Sequence, residues 1–301
     1  MQEVIISKND ANQRLDKFLL KAYPNLKTSA MYKAIRNKKI KVNRKRAQYD
    51  QKLVEGDHLL LFLPPDLLEK ETKKIQPAKE LDVIYEDDQI VVMNKPAGLL
   101  SMKDQAKEQD TLNDRLLSWL VANNIYDPNT EQSFTPSIAH RLDRNTSGLV
   151  LAGKSAQASR DLSLAIAQNK VHKYYLAITD QYPKQGLIEL YLKKEGTKAL
   201  VSDQPKDQYD LAKMKVKTIE QKDGLYLSQI ELMTGRFHQI RACLSHLHTP
   251  LWGDVKYKGT PNKKGYYLQA YKIDLNDTPF KQANVVEIPK SKQIHLEFNK
   301  K

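Results

Sequence analysis

The densest polar cluster in the chain, Ala139-His140-Arg141-Leu142-Asp143-Arg144-Asn145-Thr146-Ser147-Gly148, stands directly before the apolar run Leu149-Val150-Leu151. A loop that feeds a buried strand fixes a side chain in place and leaves it open to a substrate, the setting a carboxylate nucleophile needs. Asp143 is the candidate. Carboxylates are anionic at neutral pH, and Arg141 and Arg144 put positive charge beside this one. The same residues fit a second reading, in which Asp143 only caps the turn through Thr146 and Ser147; the local sequence leaves both open.

A second cluster, Met233-Thr234-Gly235-Arg236-Phe237-His238-Gln239-Ile240-Arg241, runs into a helical period. Ile240, Leu244 and Leu247 fall within about 60° on a helical wheel, with His238, Arg241 and Ser245 on the neighbouring polar sector. Such a helix offers a cation to a pocket, although a single histidine more often packs and hydrogen-bonds than catalyses. His246 and His248 lack a cysteine or carboxylate at ligand spacing, so no metal site is expected. In the strand pattern Lys173-Tyr174-Tyr175-Leu176-Ala177, Tyr175 and Ala177 share one face and Tyr174 and Leu176 the other, so one tyrosine reaches a site while the other packs. Asn94-Lys95-Pro96-Ala97-Gly98 reads as a strand end closed by a tight turn.

The elements that must position these residues are mixed in type. After a hairpin over 82–94, helical spacing follows Thr111 (Leu112, Leu116, Trp119, Leu120) and Ser155 (Ala158, Leu162, Ala165, Ile166). Strand patterns cover 149–152, 175–178, 187–192, 211–216 and 225–232 without βαβ regularity. The expected fold is α+β with a mixed, mainly antiparallel sheet.

Ahead of it lies a small basic module. Residues 1–75 hold 17 basic and 9 acidic residues, a net of +8 in a chain whose total is +13. Leu15, Phe18, Leu19 and Ala22 mark a short helix ended by Pro24; Met31, Ala34 and Ile35 mark a second, capped by Thr28 or Ser29. Strands are expected at 40–42 and 59–62. From Lys27 to Arg46 nine lysines and arginines occur with no acidic residue between them, so Lys33, Arg36, Lys38, Lys39, Lys41 and Arg44 are candidate phosphate contacts for a nucleic acid. The proline-bearing, mixed-charge segment 64–80 reads as a linker, giving a small α/β RNA-binding module at 1–63 and a catalytic domain at 81–301.

Composition excludes other classes. The one cysteine, Cys243, rules out an intrachain disulfide and any zinc finger or iron–sulfur centre built on cysteines. The longest apolar run, Leu59 to Leu63, is far short of the roughly 18 residues a membrane helix needs, and the first residues lack the order of a secretion signal. A chain of the cytoplasm with no membrane partner, monomeric, is expected.

His140 to Lys154, HRLDRNTSGLVLAGK, resembles the signature of the RluA-type pseudouridine synthases, whose catalytic residue is the aspartate of the His-Arg-Leu-Asp run. YEDDQIVVMNKPAGL before it, KYYLA after it and TGRFHQIRACLSHLHTPLWGD last follow the order of that family's blocks from about residue 82 to 275. Residues 14–62 resemble the small ribosomal-protein-like RNA-binding module that many of these enzymes carry. The resemblance implies the pseudouridine synthase fold, with Asp143 as catalytic aspartate, Tyr175 as active-site tyrosine, Arg241 as its ion-pairing partner and Arg141 beside the flipped base. Arg236 and His238 belong to the same substrate-facing motif without an assigned chemical role. It further implies isomerisation of uridine in RNA without metal or cofactor, consistent with the lack of a Rossmann fingerprint or P-loop. Large-subunit ribosomal RNA is the leading substrate, tRNA the second; a non-catalytic RNA-binding or ribosome-assembly factor is the alternative without enzyme activity. Two departures stand out. Leu99-Leu100-Ser101-Met102 follows Gly98 where relatives continue to His-Pro, and Asn43-Arg44 replaces an Asn-Gly turn.

Overall fold

A computed structural model of the chain describes residues 1–69, 75, 80–104, 110–295 and 298. The chain divides into two compact units, one taking Met1–Ala78, Leu116–Ser137 and Gly153–Arg160, the other Lys79–Arg115, Ile138–Ala152 and Asp161–Lys301. Most of the segment read as a linker, 70–74 and 76–79, lies outside the described residues. Its start is a 3₁₀ turn, Pro65–Leu68, whose Leu68 packs on the core of the first unit.

In the first unit the order is β1 (Gln2–Ile5), α1 (Leu15–Ala22), α2 (Thr28–Arg36), β2 (Ile40–Val42), β3 (Lys45–Arg46) and β4 (His58–Leu61). The antiparallel sheet runs β1-β4-β2-β3. Leu15, Phe18, Leu19 and Ala22 of α1 and Met31, Ala34 and Ile35 of α2 are buried together in one core, as their spacing predicts. Each large apolar side chain so buried stabilises the unit by roughly 1.5–3 kcal/mol. The expected cap of α2 is absent. The helix starts one turn position earlier than a Thr28 cap requires, because the Lys27 carbonyl already accepts the Met31 amide at 3.0 Å and Lys27, with no side-chain cap bond, is the N-cap.

The second unit and the segments that complete the chain add β5 (Val83–Glu86), β6 (Ile90–Lys95), α3 (Leu112–Ala122), β7 (Ser147–Gly153), α4 (Ala156–Ala167), β8 (His172–Thr179), β9 (Gly186–Glu195), β10 (Lys198–Ser202), β11 (Asp210–Lys222), β12 (Leu225–Leu232), α5 (Gln239–His246), β13 (Leu268–Asp274) and β14 (Val285–Glu287). Nine strands lie in the order β10-β9-β11-β12-β8-β13-β7-β6-β5, and β14 pairs with β13. The sheet is mixed and mainly antiparallel: β7 joins β13 in parallel, whereas β8 through β12 pair antiparallel. Five strands have no counterpart in the sequence reading: β1, β3, β10, β13 and β14. No helix among the described residues is long and apolar enough to cross a membrane.

Two features of this sheet matter for the site. Leu149, Val150, Leu151 and Ala152 of β7 are fully buried, so the loop before them starts from an immobile base. Gly148, at φ +120°, sits opposite Ala270 of β13, and any Cβ there would collide with the Ala270 backbone. Only glycine allows the two backbones this approach.

Candidate active site

The loop before β7 is braced by the segment after β6. Lys95, wholly buried, donates from Nζ to the carbonyls of Pro96 (3.0 Å), Leu99 (2.7 Å) and Arg144 (2.9 Å). An ammonium has three hydrogens, and these three acceptors take them all. Burial pulls the Lys95 pKa down to about 7, opposed by the negative charge of Asp143. The Gly98 amide also donates to the Arg144 carbonyl, at 2.9 Å. Ser101 closes the other side: its Oγ donates to the Leu142 carbonyl at 2.8 Å and accepts the Leu142 amide at 3.1 Å. Both neighbours of Asp143 are therefore fixed through their backbones. The segment 94–98 is more than a turn, and Ser101, a departure from the family pattern, is one of its anchors.

Asp143 is not a cap. The turn to Thr146 closes through the Asp143 carbonyl, which accepts the Thr146 amide at 3.1 Å, and the carboxylate is left to face Arg241. Arg241 Nη1 donates to Asp143 Oδ2 at 3.0 Å. The rest of the guanidinium is held in a bidentate grip by Asp254, with Nε to Oδ2 at 2.7 Å and Nη2 to Oδ1 at 3.0 Å. Side-chain exposure is 7% for Arg241, 2% for Asp254 and 26% for Asp143, so the cation and its anchor are buried while Asp143 remains open to the cavity. Burial works against the Arg241 charge, but hydrogen bonding to Asp254 and the nearby anions outweigh it and raise its pKa. The rings of Tyr266 and Tyr257 approach the guanidinium at 4.5 and 5.0 Å, and the Tyr266 hydroxyl lies 3.2 Å from Thr146 Oγ1. Cation–π contact of this kind favours the charged form in a desolvated site.

The helix that carries Arg241 begins in an unusual conformation. His238 is the N-cap of α5 in the left-handed region, φ 53°. Gln239 folds the turn before it: its Oε1 accepts from Thr234 Oγ1 at 2.8 Å and from the Arg236 amide at 3.0 Å, and its Nε2 donates to the Lys213 carbonyl at 3.0 Å. The Tyr257 hydroxyl accepts the Ala199 amide at 2.8 Å and lies within hydrogen-bond distance of His238 Nδ1, 2.9 Å away. The other ring nitrogen, Nε2, lies 3.7 Å from Asp143 Oδ2. Burial lowers the His238 pKa to about 4, against the pull of Asp143, so the ring is neutral at neutral pH.

Asp143, Arg241 and His238 line a cavity of about 360 Å³ with Tyr175, Lys173, Leu268 and Arg141, a volume within the roughly 300–1,000 Å³ of small-molecule sites. Tyr175 reaches it and is 5% exposed; burial, and then the charge of Asp143, push its hydroxyl pKa upward. On the opposite face of β8, Leu176 and Ile178 pack with Leu225, Leu227 and Phe298, and the Tyr174 ring lies under the Lys272 ammonium at 5.0 Å. Arg141 is on the rim, 65% exposed and 3.6 Å from Asp104. Arg236 also lines the cavity, but its Nε donates to the Leu211 carbonyl at 3.0 Å and turns part of the side chain back to β11. His246, weighed above as a ligand, instead lies 3.1 Å from Asp203.

None of the basic residues singled out in the N-terminal module is among those that line this cavity. Lys33 and Arg36 are exposed on α2, Lys38 and Lys39 between α2 and β2 and Arg44 in the turn between β2 and β3, and Lys41 is half-buried with its ammonium 5.6 Å from the Phe62 ring. The sequence reading gave no role to Asp254, Tyr257, Tyr266, Lys95 or Ser101. Asp254 ends the block TPLWGD and Lys95 stands in NKPAG, so both were within quoted motifs; nothing in their spacing pointed to their partners.

The chain matches the RNA pseudouridylate synthase family over residues 89–246 and the S4 domain family over 13–59. It is 34% identical over 264 residues to an uncharacterized RNA pseudouridine synthase of Mycoplasma pneumoniae, covering 84% of this chain and 80% of that one. It is also 34% identical over 291 residues to ribosomal large subunit pseudouridine synthase C of Rickettsia bellii, covering 90% and 93%. The solved structure of human RNA pseudouridylate synthase domain containing 1 shares the fold, with a TM-score of 0.56 at 18% identity over 73% of this chain and 89% of that one. The chain belongs to the RNA pseudouridylate synthase family, with an S4 domain at its N-terminal end. It is an RNA-binding enzyme that isomerises uridine in RNA to pseudouridine.

Proposed function

We propose that the chain modifies uridine in ribosomal RNA of the large subunit, with Asp143 as the reacting carboxylate, Arg241 as the cation that orients it and Tyr175 as the ring that receives the flipped base. The observation that carries the assignment is the 3.0 Å contact between Arg241 and an Asp143 left partly open at the cavity. The name of the Rickettsia relative supports the choice of RNA.

The target uridine is stacked in RNA, so it must leave the helix, at a cost of a few kcal/mol. Asp143 attacks C1′ or assists formation of a glycal, and the N1–C1′ bond breaks. The uracil turns while held against Tyr175, C5 bonds to C1′, the hydrogen on C5 leaves as a proton and N1 gains one. Composition and oxidation state are unchanged. Arg241 cannot move far, because Asp254 holds two of its nitrogens, so it presents one fixed N–H to Asp143 throughout. His238, neutral, stands beside Asp143 with Nε2 3.7 Å away and carries no proton in the reaction.

RNA containing 5-tritiated uridine tests this reading. The wild-type enzyme is expected to release tritium, and Asp143→Asn none, with RNA affinity changed by less than about 1 kcal/mol. Carbodiimide-based sequencing of RNA from cells with and without the gene then identifies the site; loss of a pseudouridine only from tRNA would overturn the choice of substrate. Equal release by Asp143→Asn would overturn the role given to Asp143.

A further inference from the structure

The first unit carries a groove that the basic run does not explain. It has a volume of about 610 Å³ and runs between α2 and the segment 46–50, with Tyr32, Arg36, Arg46, Gln48 and Tyr49 on its walls. Tyr32 and Tyr49 are 41% and 46% exposed, although Ile35 and Ala47 beside them are buried. Two neighbouring exposed tyrosines on a small module are a feature that solubility does not favour.

The rings are also held. Their centroids are 5.4 Å apart at 75°. The Tyr32 hydroxyl lies 3.3 Å from Oδ2 of Asp16, a buried carboxylate that accepts from Arg14 Nε at 3.1 Å, Arg14 Nη2 at 2.7 Å and the Lys17 amide at 2.8 Å. The Arg14 guanidinium in turn lies 5.6 Å from the Tyr49 ring centre. Arg36 ends α2 and Arg46 lies on the edge strand β3; both are exposed, and neither has an ion-pair partner among the described residues. Rigid aromatic faces between unpaired guanidinium groups suit a planar ring flanked by phosphates. Stacking on an aromatic side chain supplies affinity whatever the base, and arginines track the backbone.

We propose that this groove is a second nucleotide site, which takes an unpaired base of the RNA against Tyr32 and Tyr49 with its neighbouring phosphates on Arg36 and Arg46. The proposal rests on the RNA-binding reading of the module and adds that it recognises an unstacked nucleotide rather than only duplex charge. The occupant need not be uridine, because no reaction takes place there.

A uridine-free hairpin with a single bulged 2-aminopurine, compared with the same hairpin fully paired, separates the two readings in the full-length chain. The wild type is expected to bind the bulged hairpin about tenfold more tightly, the scale of one base stacked on an aromatic ring, and to change the 2-aminopurine fluorescence. Tyr32→Leu and Tyr49→Leu should each erode that preference with the salt dependence of binding unchanged, while Tyr49→Phe keeps it. Arg36→Gln should lower the slope of log affinity against log salt by about 0.7 to 0.9, one phosphate contact. Equal binding of the two hairpins by the wild type, or an equal loss on both in the leucine variants, would overturn the proposal and leave the RNA-binding module intact. Binding of neither hairpin would overturn both.

Discussion

At the scale of single residues, the site is a buried cation shared by two anions of different exposure. Asp254 spends both oxygens on Arg241, and Asp143 receives the remaining N–H. Removing one member of such a pair leaves an uncompensated charge behind and typically costs about 3–5 kcal/mol. Asp254→Asn keeps the shape but removes the charge that holds Nε and Nη2, so it is expected to lose about 3 kcal/mol in urea denaturation. It should lower kcat more than RNA affinity, because Nη1 is no longer aimed. An Asp254→Asn enzyme with wild-type stability and kcat would show that Arg241 needs no anchor. Asp143, Tyr175 and Arg241 stand in blocks that resemble those of the family, and that resemblance rather than any local period singled out all three, which line one cavity. The alternation Tyr174-Tyr175-Leu176-Ala177 put the two tyrosines on opposite faces without choosing between them; the resemblance pointed to Tyr175, which lines the cavity. Asp254, Tyr257 and Tyr266 were not legible in the sequence, since their roles arise only when a loop after α5 folds back on that helix, and no local period encodes that contact.

At the scale of elements, turns decided more than propensities. Helices α1 to α4 follow their apolar spacing closely, and β7 and β8 their alternation. β13 escaped the sequence reading although it sits between β8 and β7 in the sheet; Leu268-Gln269-Ala270-Tyr271-Lys272 mixes polar and apolar residues without clean alternation because both faces and a register shift at Ala270/Lys272 must be served. The hairpin joining β2 and β3 is the clearest departure with a physical consequence. Asn43 and Arg44 have φ of 49° and 64°, the arrangement of a two-residue turn with positive φ at both positions, which favours Asn-Gly. Asn43 is anchored by its Nδ2 to Asp57 Oδ1 at 2.7 Å and by its Oδ1, which accepts the His58 amide at 2.9 Å. Arg44 has no such compensation and carries the strain of a left-handed residue. Arg44→Gly is therefore expected to stabilise the chain by about 1 kcal/mol in thermal or urea unfolding, and at the same time to weaken RNA binding at low salt. A destabilised variant would mean that Arg44 has a structural partner that its exposed position does not suggest.

At the scale of the molecule, the excess positive charge and the catalytic groups belong to different parts of the chain: residues 1–75 hold a net +8 of the total +13, and the cavity is built wholly from the second unit. Deleting the module is a poor way to separate the two contributions. The first unit is not only the N-terminal segment: buried Asp10 accepts from the Ser133 amide at 3.0 Å and Ser133 Oγ at 2.6 Å, and Asn9 binds Glu131 and the Ala156 amide. Truncation would remove Asn9 and Asp10 and leave Glu131, Ser133 and the Ala156 amide without those partners. Substituting exposed cations leaves the core untouched, and Lys33, Lys38 and Lys39 have no ion-pair partner among the described residues. The triple change to serine is expected to leave the unfolding midpoint within the range of surface substitutions, about 0.5 kcal/mol each. It should flatten the slope of log affinity against log salt by roughly 2 to 3, since each phosphate contact contributes about 0.7 to 0.9. Turnover on a minimal stem-loop at saturating enzyme should then fall less than on full-length RNA, because the pocket that performs the chemistry keeps every residue it uses. An unchanged salt slope would assign these lysines to solubility and place the phosphate contacts on the second unit.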